Sequence, residues 1–167
     1  MAIWQFDFMI IPNKKTDDRK RTKSWLNTEI ARTSLEKLEE NFQQIESWSN
    51  DILQFGKEDE TCINILLEDG KTEEITCRID LRDLTKEKLI PILNFIQEIN
   101  GQIYFNRKVY DAEMDNLVHL VRTSSAAEFC ADPKKYLLEH GKSMDEENGL
   151  DDEAYFDEVD NEFEEEE

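Results

Sequence analysis

The residues with the clearest recognition chemistry lie near the C-terminus, where aromatic side chains are interleaved with carboxylates. Phe156, Val159 and Phe163 are spaced at i, i+3 and i+7, which predicts one stripe along a helix. Such a helix could dock on a basic surface, because its acids would pair with Lys and Arg while its rings enter a groove. We therefore predict a partner-binding site formed by Asp151, Asp152, Glu153, Tyr155, Phe156, Asp157, Glu158, Val159, Asp160, Glu162 and Phe163.

Charge is distributed unevenly along the chain. The 167 residues include 40 Asp and Glu against 20 Lys and Arg, a formal net charge of −20. From Ser143 onward there are 14 acids and no bases, so residues 1–142 hold the other 26 acids, all 20 bases and a net charge of −6. The sequence predicts a globular domain over 1–142 and an acidic tail over 143–167. The alternative interpretation of the tail is a disordered segment that is simply solvated.

Catalytic chemistry has little support in the sequence. Asp80 and Asp83 flank the end of a central predicted strand, where an acidic site could form, but helix capping and neighbouring arginines explain them equally well. His119 and His140 fall on different predicted helices without a neighbouring ligand pattern. The usual phosphate-loop, dinucleotide, zinc-protease and nucleophile-elbow motifs do not occur. We predict that the protein is not an enzyme and uses no cofactor or metal.

Cysteine usage and hydropathy predict a cellular compartment. Cys62, Cys77 and Cys130 are odd in number and lack CxxC spacing, which favours neither a disulfide framework nor a zinc site. Met1 leads directly into an aromatic strand pattern rather than a basic leader, and no apolar run approaches the ~20 residues of a membrane helix. The expectation is a cytoplasmic protein in a reducing compartment that makes no membrane contact.

Hydrophobic periodicity predicts an α+β fold. Alternating apolar residues indicate strands over 3–11, 61–67, 73–81 and 102–105, and apolar residues at spacings of three and four indicate helices over 35–55, 86–100 and 112–138, the last possibly interrupted. We predict a single domain with a mainly antiparallel sheet of four or five strands and helices mostly against one face. Trp25 and Trp48 are predicted to pack in the core, and Gly101 to end the second helix in a left-handed conformation.

The loop between strands 61–67 and 73–81 sets the register of a predicted hairpin. A two-residue Asp69-Gly70 turn places Ile63 opposite Thr76, so the apolar faces of the two strands disagree. A three-residue loop over 68–70 places Ile63 opposite Ile75 and brings the apolar sets together. We therefore predict the three-residue loop, which also separates Cys62 and Cys77 onto opposite faces.

A second charged segment lies near the N-terminus. It could contact an anion or a nucleic acid, but Asp17 and Asp18 within it favour an ordinary solvated loop. Its basic residues are Lys14, Lys15, Arg19, Lys20, Arg21 and Lys23.

The overall profile resembles the small cytoplasmic immunity proteins that accompany bacterial polymorphic toxins. The shared features are an aromatic first strand (Trp4, Phe6 and Phe8), a central hairpin, an α+β body ending in a short helix like 132–137, and strong acidity. The resemblance implies a protein that binds and blocks a cognate toxin, often a basic nuclease.

Together, these observations predict an inhibitor that neutralises a basic toxin or nuclease by covering its cationic surface. Two alternatives stay open: a phage-type nucleic-acid mimic that inhibits a host defence nuclease, and a non-inhibitory scaffold whose acidic tail keeps it in solution. The predicted partner is a basic protein rather than nucleic acid or a membrane, and the sequence does not fix the oligomeric state.

Overall fold

A computed structural model describes residues 2–13, 23–25, 28 and 30–147. Within these ranges the chain forms one seven-stranded sheet and five helices. The strands are β1 (Gln5–Pro12), β2 (Gln44–Ile45), β3 (Ile52–Phe55), β4 (Cys62–Glu68), β5 (Lys71–Asp80), β6 (Gly101–Phe105) and β7 (Lys108–Tyr110). The helices are α1 (Arg32–Glu39), α2 (Lys86–Glu98), α3 (Met114–Arg122), α4 (Ser125–Ala131) and α5 (Pro133–Glu147).

The sheet is antiparallel throughout, with the strand order β2-β3-β4-β5-β1-β6-β7. The α+β class and the antiparallel sheet are therefore confirmed, but the predicted count of four or five strands is too low. Strands β5 and β6 run in the same direction and are separated by β1, which pairs with both. In the described part of the chain, no helix is long and apolar enough to cross a membrane.

The core lies on one face of the sheet, beneath the first three helices. Apolar side chains of β1, β4 and β5 on that face pack with one side of α2 and with parts of α1 and α3. Trp25 is 0% exposed within this core, as predicted. Its indole N–H donates to the Ile10 carbonyl over 2.8 Å, and its backbone N–H donates to the Glu73 carbonyl over 3.0 Å. This one residue therefore ties the segment 23–25 to β1 through its side chain and to β5 through its backbone.

The hairpin formed by β4 and β5 corrects the predicted loop. Asp69 and Gly70 both have positive φ, 51° and 74°, and form a two-residue turn in which Glu68 pairs with Lys71. A register shift between Leu66 and Leu67 then inserts one extra residue on β5. The predicted shared apolar face is present. A two-residue turn alone would put the apolar side chains of β4 and β5 on opposite faces, and the extra residue of the bulge brings them back onto one face. The residue pairings change accordingly: Ile63 lies opposite Cys77, not Ile75, and Cys62 lies opposite Arg78.

The predicted helix over 35–55 is correct only at its beginning. Helix α1 ends at Glu39, and the chain then forms the short hairpin of β2 and β3. Strand β3 pairs with β4, for example Phe55 with Ile63. As in any strand, its side chains therefore alternate between the core and the opposite face. Phe42, Ile45 and Ile52 happen to follow a helical spacing, so the sequence alone favoured a helix; strand pairing overrides it.

The end of α2 also differs from its prediction. Asn100, with φ of 53°, is the left-handed residue, and Gly101 is the first residue of β6. A Cβ at Gly101 would lie 3.0 Å from Ile10 Cγ2 and 3.2 Å from Ile96 Cγ2. The glycine at this position therefore permits close packing of strand and helix, and asparagine takes the capping conformation.

Side-chain caps mark the beginnings of the last two helices. Ser124 Oγ accepts a hydrogen bond from the Ala127 N–H over 3.2 Å, and Asp132 Oδ1 accepts one from the Lys135 N–H over 3.0 Å. Helix α5 continues through Gly141 to Glu147, so the predicted domain boundary at Lys142 falls inside a helix. Any truncation that tests the tail should therefore begin after Glu147.

Two glycines with positive φ give a matched test of this architecture. Gly56 has φ of 85°, and a Cβ there would lie 2.4 Å from the Thr61 carbonyl oxygen, whereas Gly70 has φ of 74° and open space around it. Gly70→Ala should cost about 1–2 kcal/mol for a left-handed alanine, and Gly56→Ala about 2–5 kcal/mol because backbone must also move. Denaturant unfolding measures both. Equal losses would show that the loop at Thr61 moves freely.

Candidate functional site

The predicted binding residues lie outside the part of the chain that the structure describes. This applies to the full set, namely Asp151, Asp152, Glu153, Tyr155, Phe156, Asp157, Glu158, Val159, Asp160, Glu162 and Phe163. The described chain ends with α5, whose last residues, 145–147, are the first three acids of the acidic segment. The predicted site begins at Asp151, four positions after the last residue of this helix.

The basic N-terminal segment is described only at its end. Lys23 Nζ lies 4.2 Å from the centroid of the Tyr104 ring, a cation–π contact on β6. The other basic residues predicted there lie outside the described ranges: Lys14, Lys15, Arg19, Lys20 and Arg21.

A cleft of about 730 Å³ opens where β5 ends and α2 begins. Its remaining walls come from the segment after α1 and from the loop between β3 and β4. Apolar side chains and charged groups of both signs share the lining. The lining residues are Asn41, Phe42, Gln43, Ile45, Gly56, Lys57, Glu60, Thr61, Asp80, Arg82, Asp83, Glu87, Lys88 and Pro91.

Asp80 is the buried charge of this cleft, and Arg82 neutralises it. Asp80 is only 6% exposed, and the Arg82 guanidinium donates to both of its carboxylate oxygens at 2.6–3.0 Å. The guanidinium also stacks over Trp4, with Cζ 4.8 Å from the ring centroid. The side-chain hydrogen bonds from Arg82 hold the pKa of Asp80 below its ordinary value. Asp80 therefore stays ionised, which suits a structural ion pair better than a general acid.

Asp83, the second acid predicted at this position, is likewise paired. Lys88 on α2 contacts the Asp83 carboxylate and donates to its backbone carbonyl over 3.1 Å. The structure therefore places Asp80 and Asp83 at one cleft, as the sequence suggested, but gives each a separate cation of its own.

Replacing Asp80 with asparagine should change how stability depends on pH. Because the folded-state pKa of Asp80 is lowered, its ionised form stabilises the fold above its unfolded pKa of about 3.9, and this contribution is lost as pH falls through the folded-state value. At pH 7 we expect Asp80→Asn to lower the free energy of unfolding by about 1–2 kcal/mol. This is the contribution of a hydrogen bond between charged groups, reduced because Arg82 is half exposed. Urea unfolding between pH 7 and pH 2 measures this.

The matched control is Asp83→Asn, since the Asp83–Lys88 pair is largely solvent-exposed and should contribute far less. The gap between wild type and Asp80→Asn should close below about pH 4. A gap that stays constant down to pH 2 would contradict the ionised role of Asp80.

An acidic loop between β3 and β4 borders the cleft. Its backbone is anchored to the sheet: the Glu58 carbonyl accepts hydrogen bonds from Gln5 and Arg78, at 3.0 and 3.2 Å, and the Asp59 carbonyl accepts one from Arg82 at 3.0 Å. Arg78 also pairs with Asp7 across the two central strands, at 3.1 Å. Backbone carbonyls therefore hold the loop, while the Glu58 carboxylate lies 3.7 Å from Arg78 and the Glu60 carboxylate 3.2 Å from Lys57.

The three cysteine thiols are not activated as nucleophiles. Burial is the main cause of a raised pKa for all three cysteine thiols, to about 11 for Cys62, and a protonated thiol is a poor nucleophile. His140 stacks on Tyr136 with ring centroids 4.3 Å apart. Within the described ranges, no three His, Cys, Asp or Glu residues are grouped so as to hold a metal ion. No family model, curated protein or solved structure matches the chain.

Sequence reasoning missed the side chain that is most unusual in the structure. Trp48, predicted to lie in the core, is 85% exposed in the turn between β2 and β3. The signal that could have found it is the run Ser47-Trp48-Ser49-Asn50-Asp51, because Ser, Asn and Asp favour turns and a tryptophan among them faces outward.

Proposed function

We propose that this protein binds and blocks a basic protein partner, in the manner of an immunity protein that neutralises a cationic toxin or nuclease. The observation that carries the proposal is the charge distribution. Fourteen acids and no bases occupy residues 143–167, and aromatic residues are interleaved among them. A polyanion with apolar side chains at helical spacing suits a surface that offers both Lys or Arg side chains and a groove.

The charge of the described domain also favours a positively charged partner. Its residues, 2–13, 23–25, 28 and 30–147, include 26 acids and 15 bases, a net charge of −11. Seven of these bases pair with carboxylates of the same chain, so much of the positive charge is already compensated. The paired bases are Arg32, Lys37, Lys57, Arg78, Arg82, Lys88 and Lys135.

The consequence is long-range attraction for cations and repulsion of anions. Like charges disfavour nucleic acid and anionic membranes as direct ligands, whereas a basic protein is steered toward the chain from a distance. Occupying the cationic surface of a nuclease would deny its phosphate substrate the same surface, which is the inhibitory step.

Affinity capture with two charge-matched variants tests this proposal. The first variant carries Asp157→Asn, Glu158→Gln, Asp160→Asn and Glu162→Gln in the full chain. The control carries the same change of charge on exposed acids of the folded domain: Glu39→Gln, Glu40→Gln, Asp115→Asn and Glu128→Gln. Each tagged protein is expressed in the cells that make it, and captured proteins are quantified by mass spectrometry.

We expect wild type and the control to retain one basic protein in stoichiometric amount and the first variant to lose most of it. A captured nuclease or toxin should then lose its activity when wild type is added. Equal capture by both variants, or a partner that stays fully active in the complex, would overturn the proposal.

A further inference from the structure

Trp48 is presented by a turn that its own hydrogen bonds hold in place. The Ser49 carbonyl accepts from the Ile52 N–H over 3.2 Å, and Ser49 Oγ accepts from the Asp51 N–H over 3.2 Å. The Asp51 carbonyl accepts from the Leu67 N–H over 2.7 Å, which ties the turn to β4. The backbone that carries the indole is therefore already ordered in the folded protein, so binding a partner does not carry the entropic cost of ordering it.

Apolar side chains are also exposed on the strands next to the turn. Leu66 is 39% exposed, and the register places it directly opposite Ile52 on the sheet face away from the core. Since Leu67 bonds to Asp51, the Trp48 turn and the end of β4 lie at the same end of the sheet. Exposed tryptophan beside exposed aliphatic surface is typical of protein interfaces, where tryptophan is enriched among the residues that contribute most binding energy.

The charges around this surface are mainly negative. Residues 38–56 contain four acids and no Lys or Arg, and Glu46 and Asp51 flank the tryptophan within the turn. The adjacent β4–β5 turn adds Glu68 and Asp69, both exposed, with Lys71 as its nearby base. We define the Trp48 patch as Glu46, Trp48, Asp51, Ile52, Leu66, Glu68 and Asp69.

We infer that the Trp48 patch is a docking surface on the folded domain for a basic protein, whose apolar pocket takes the indole and whose Lys and Arg side chains surround that pocket. The inference rests on the proposed function, because it names a second contact surface for a partner of the same charge. A second copy of this chain fits poorly, since it would bring the same carboxylates together. The patch runs from the β2–β3 turn to the end of β4 and the β4–β5 turn, and it shares no residue with the acidic segment 143–167.

Site-specific photocrosslinking in the full chain tests the patch. p-Benzoylphenylalanine replaces Trp48 in one protein and Leu138 in the control, because Leu138 is an apolar side chain of α5 that is 65% exposed. Both are irradiated in the cells that make the protein, and adducts are identified by mass spectrometry. We expect position 48 to give an adduct with the basic protein that affinity capture retains, and position 138 to give none.

The partner identified in this way is then purified, and its affinity is measured with full-length variants. Trp48→Ala should weaken binding at least about 30-fold, as for a central interface residue, Trp48→Phe less, and Leu138→Ala less than about threefold. No adduct at position 48, an adduct with a second copy or with an acidic protein, or an affinity for Trp48→Ala within about threefold of wild type would overturn the inference.

These outcomes are distinguishable from failure of the proposed function. We call the variant with amides at positions 157, 158, 160 and 162 the tail-amide variant. If it binds the partner as wild type does while Trp48→Ala does not, these four tail charges are dispensable and the Trp48 patch stands. If the tail-amide variant loses the partner and Trp48→Ala keeps it, the proposed function stands and the patch is excluded.

Discussion

Trp25→Ala should destabilise the protein by about 3–5 kcal/mol, the loss expected for removing a fully buried tryptophan. The indole is 0% exposed and packs within the core. The substitution also removes the donor to the Ile10 carbonyl, which leaves a buried backbone acceptor without its partner. Since Trp25 joins its segment to β1 and β5, segment and sheet should loosen together. Urea unfolding followed by circular dichroism measures the loss.

Trp48→Ala is the matched control, because it removes the same side chain from a position that is 85% exposed. We expect a change within about 0.5 kcal/mol. A loss at Trp48 that rivals the loss at Trp25 would mean that the indole packs on the domain in solution, and the Trp48 patch would then no longer be a free surface. Equal and small losses at both positions would contradict the core described for Trp25.

Local patterns predicted the elements whose signals are short-range. β1 ends at Pro12, α2 spans nearly the predicted residues, and Ser124 and Asp132 cap the helices that follow them. Each of these depends on periodicity or on a cap within three residues, which a single sequence displays directly. The shared apolar face of the central hairpin was also predicted correctly, since parity alone determines it.

The errors arise where distant residues decide the structure. Segment 44–55 has a helical spacing of apolar residues, but β4 supplies strand partners that no local pattern could reveal. Strand β7 was missed because its turn uses Asn106 and Arg107 at positive φ, with no glycine to mark it. The wrong prediction that Trp48 is buried has the same origin, because a helix over 35–55 would have turned its side chain toward the core. Neighbouring arginines were offered as an alternative explanation of Asp80, but only the structure shows that Asp80 is buried and pairs with the half-exposed Arg82.

The largest functional effect should come from the acidic tail, in the kinetics of binding to the basic partner. Phe156→Ala with Phe163→Ala should mainly speed dissociation, by about 30-fold or more if the rings are anchors in a groove, because such contacts are short-range. The association rate should change little, since the charge is unaltered. Surface plasmon resonance against the purified partner measures both rates. Unchanged dissociation would mean that the aromatic stripe makes no contact.

Removing four of the fourteen tail charges should instead slow association and leave dissociation nearly unchanged. The full-length variant Asp157→Asn, Glu158→Gln, Asp160→Asn and Glu162→Gln should associate about 10-fold or more slowly at low salt, because steering depends on charge. Its dissociation should change less. The control with four amides at Glu39, Glu40, Asp115 and Glu128 carries the same net charge, so it separates local charge from total charge.

The salt dependence of the association rate tests the central claim most directly. The screening length falls from about 10 Å at 0.1 M salt to about 3 Å at 1 M, so steering by the tail fades across this range. For wild type and the domain control, the association rate should fall steeply with salt. For the tail-amide variant it should start lower and vary much less. Three coincident salt profiles would contradict the account, because the carboxylates at positions 157, 158, 160 and 162 would then play no part in finding the partner.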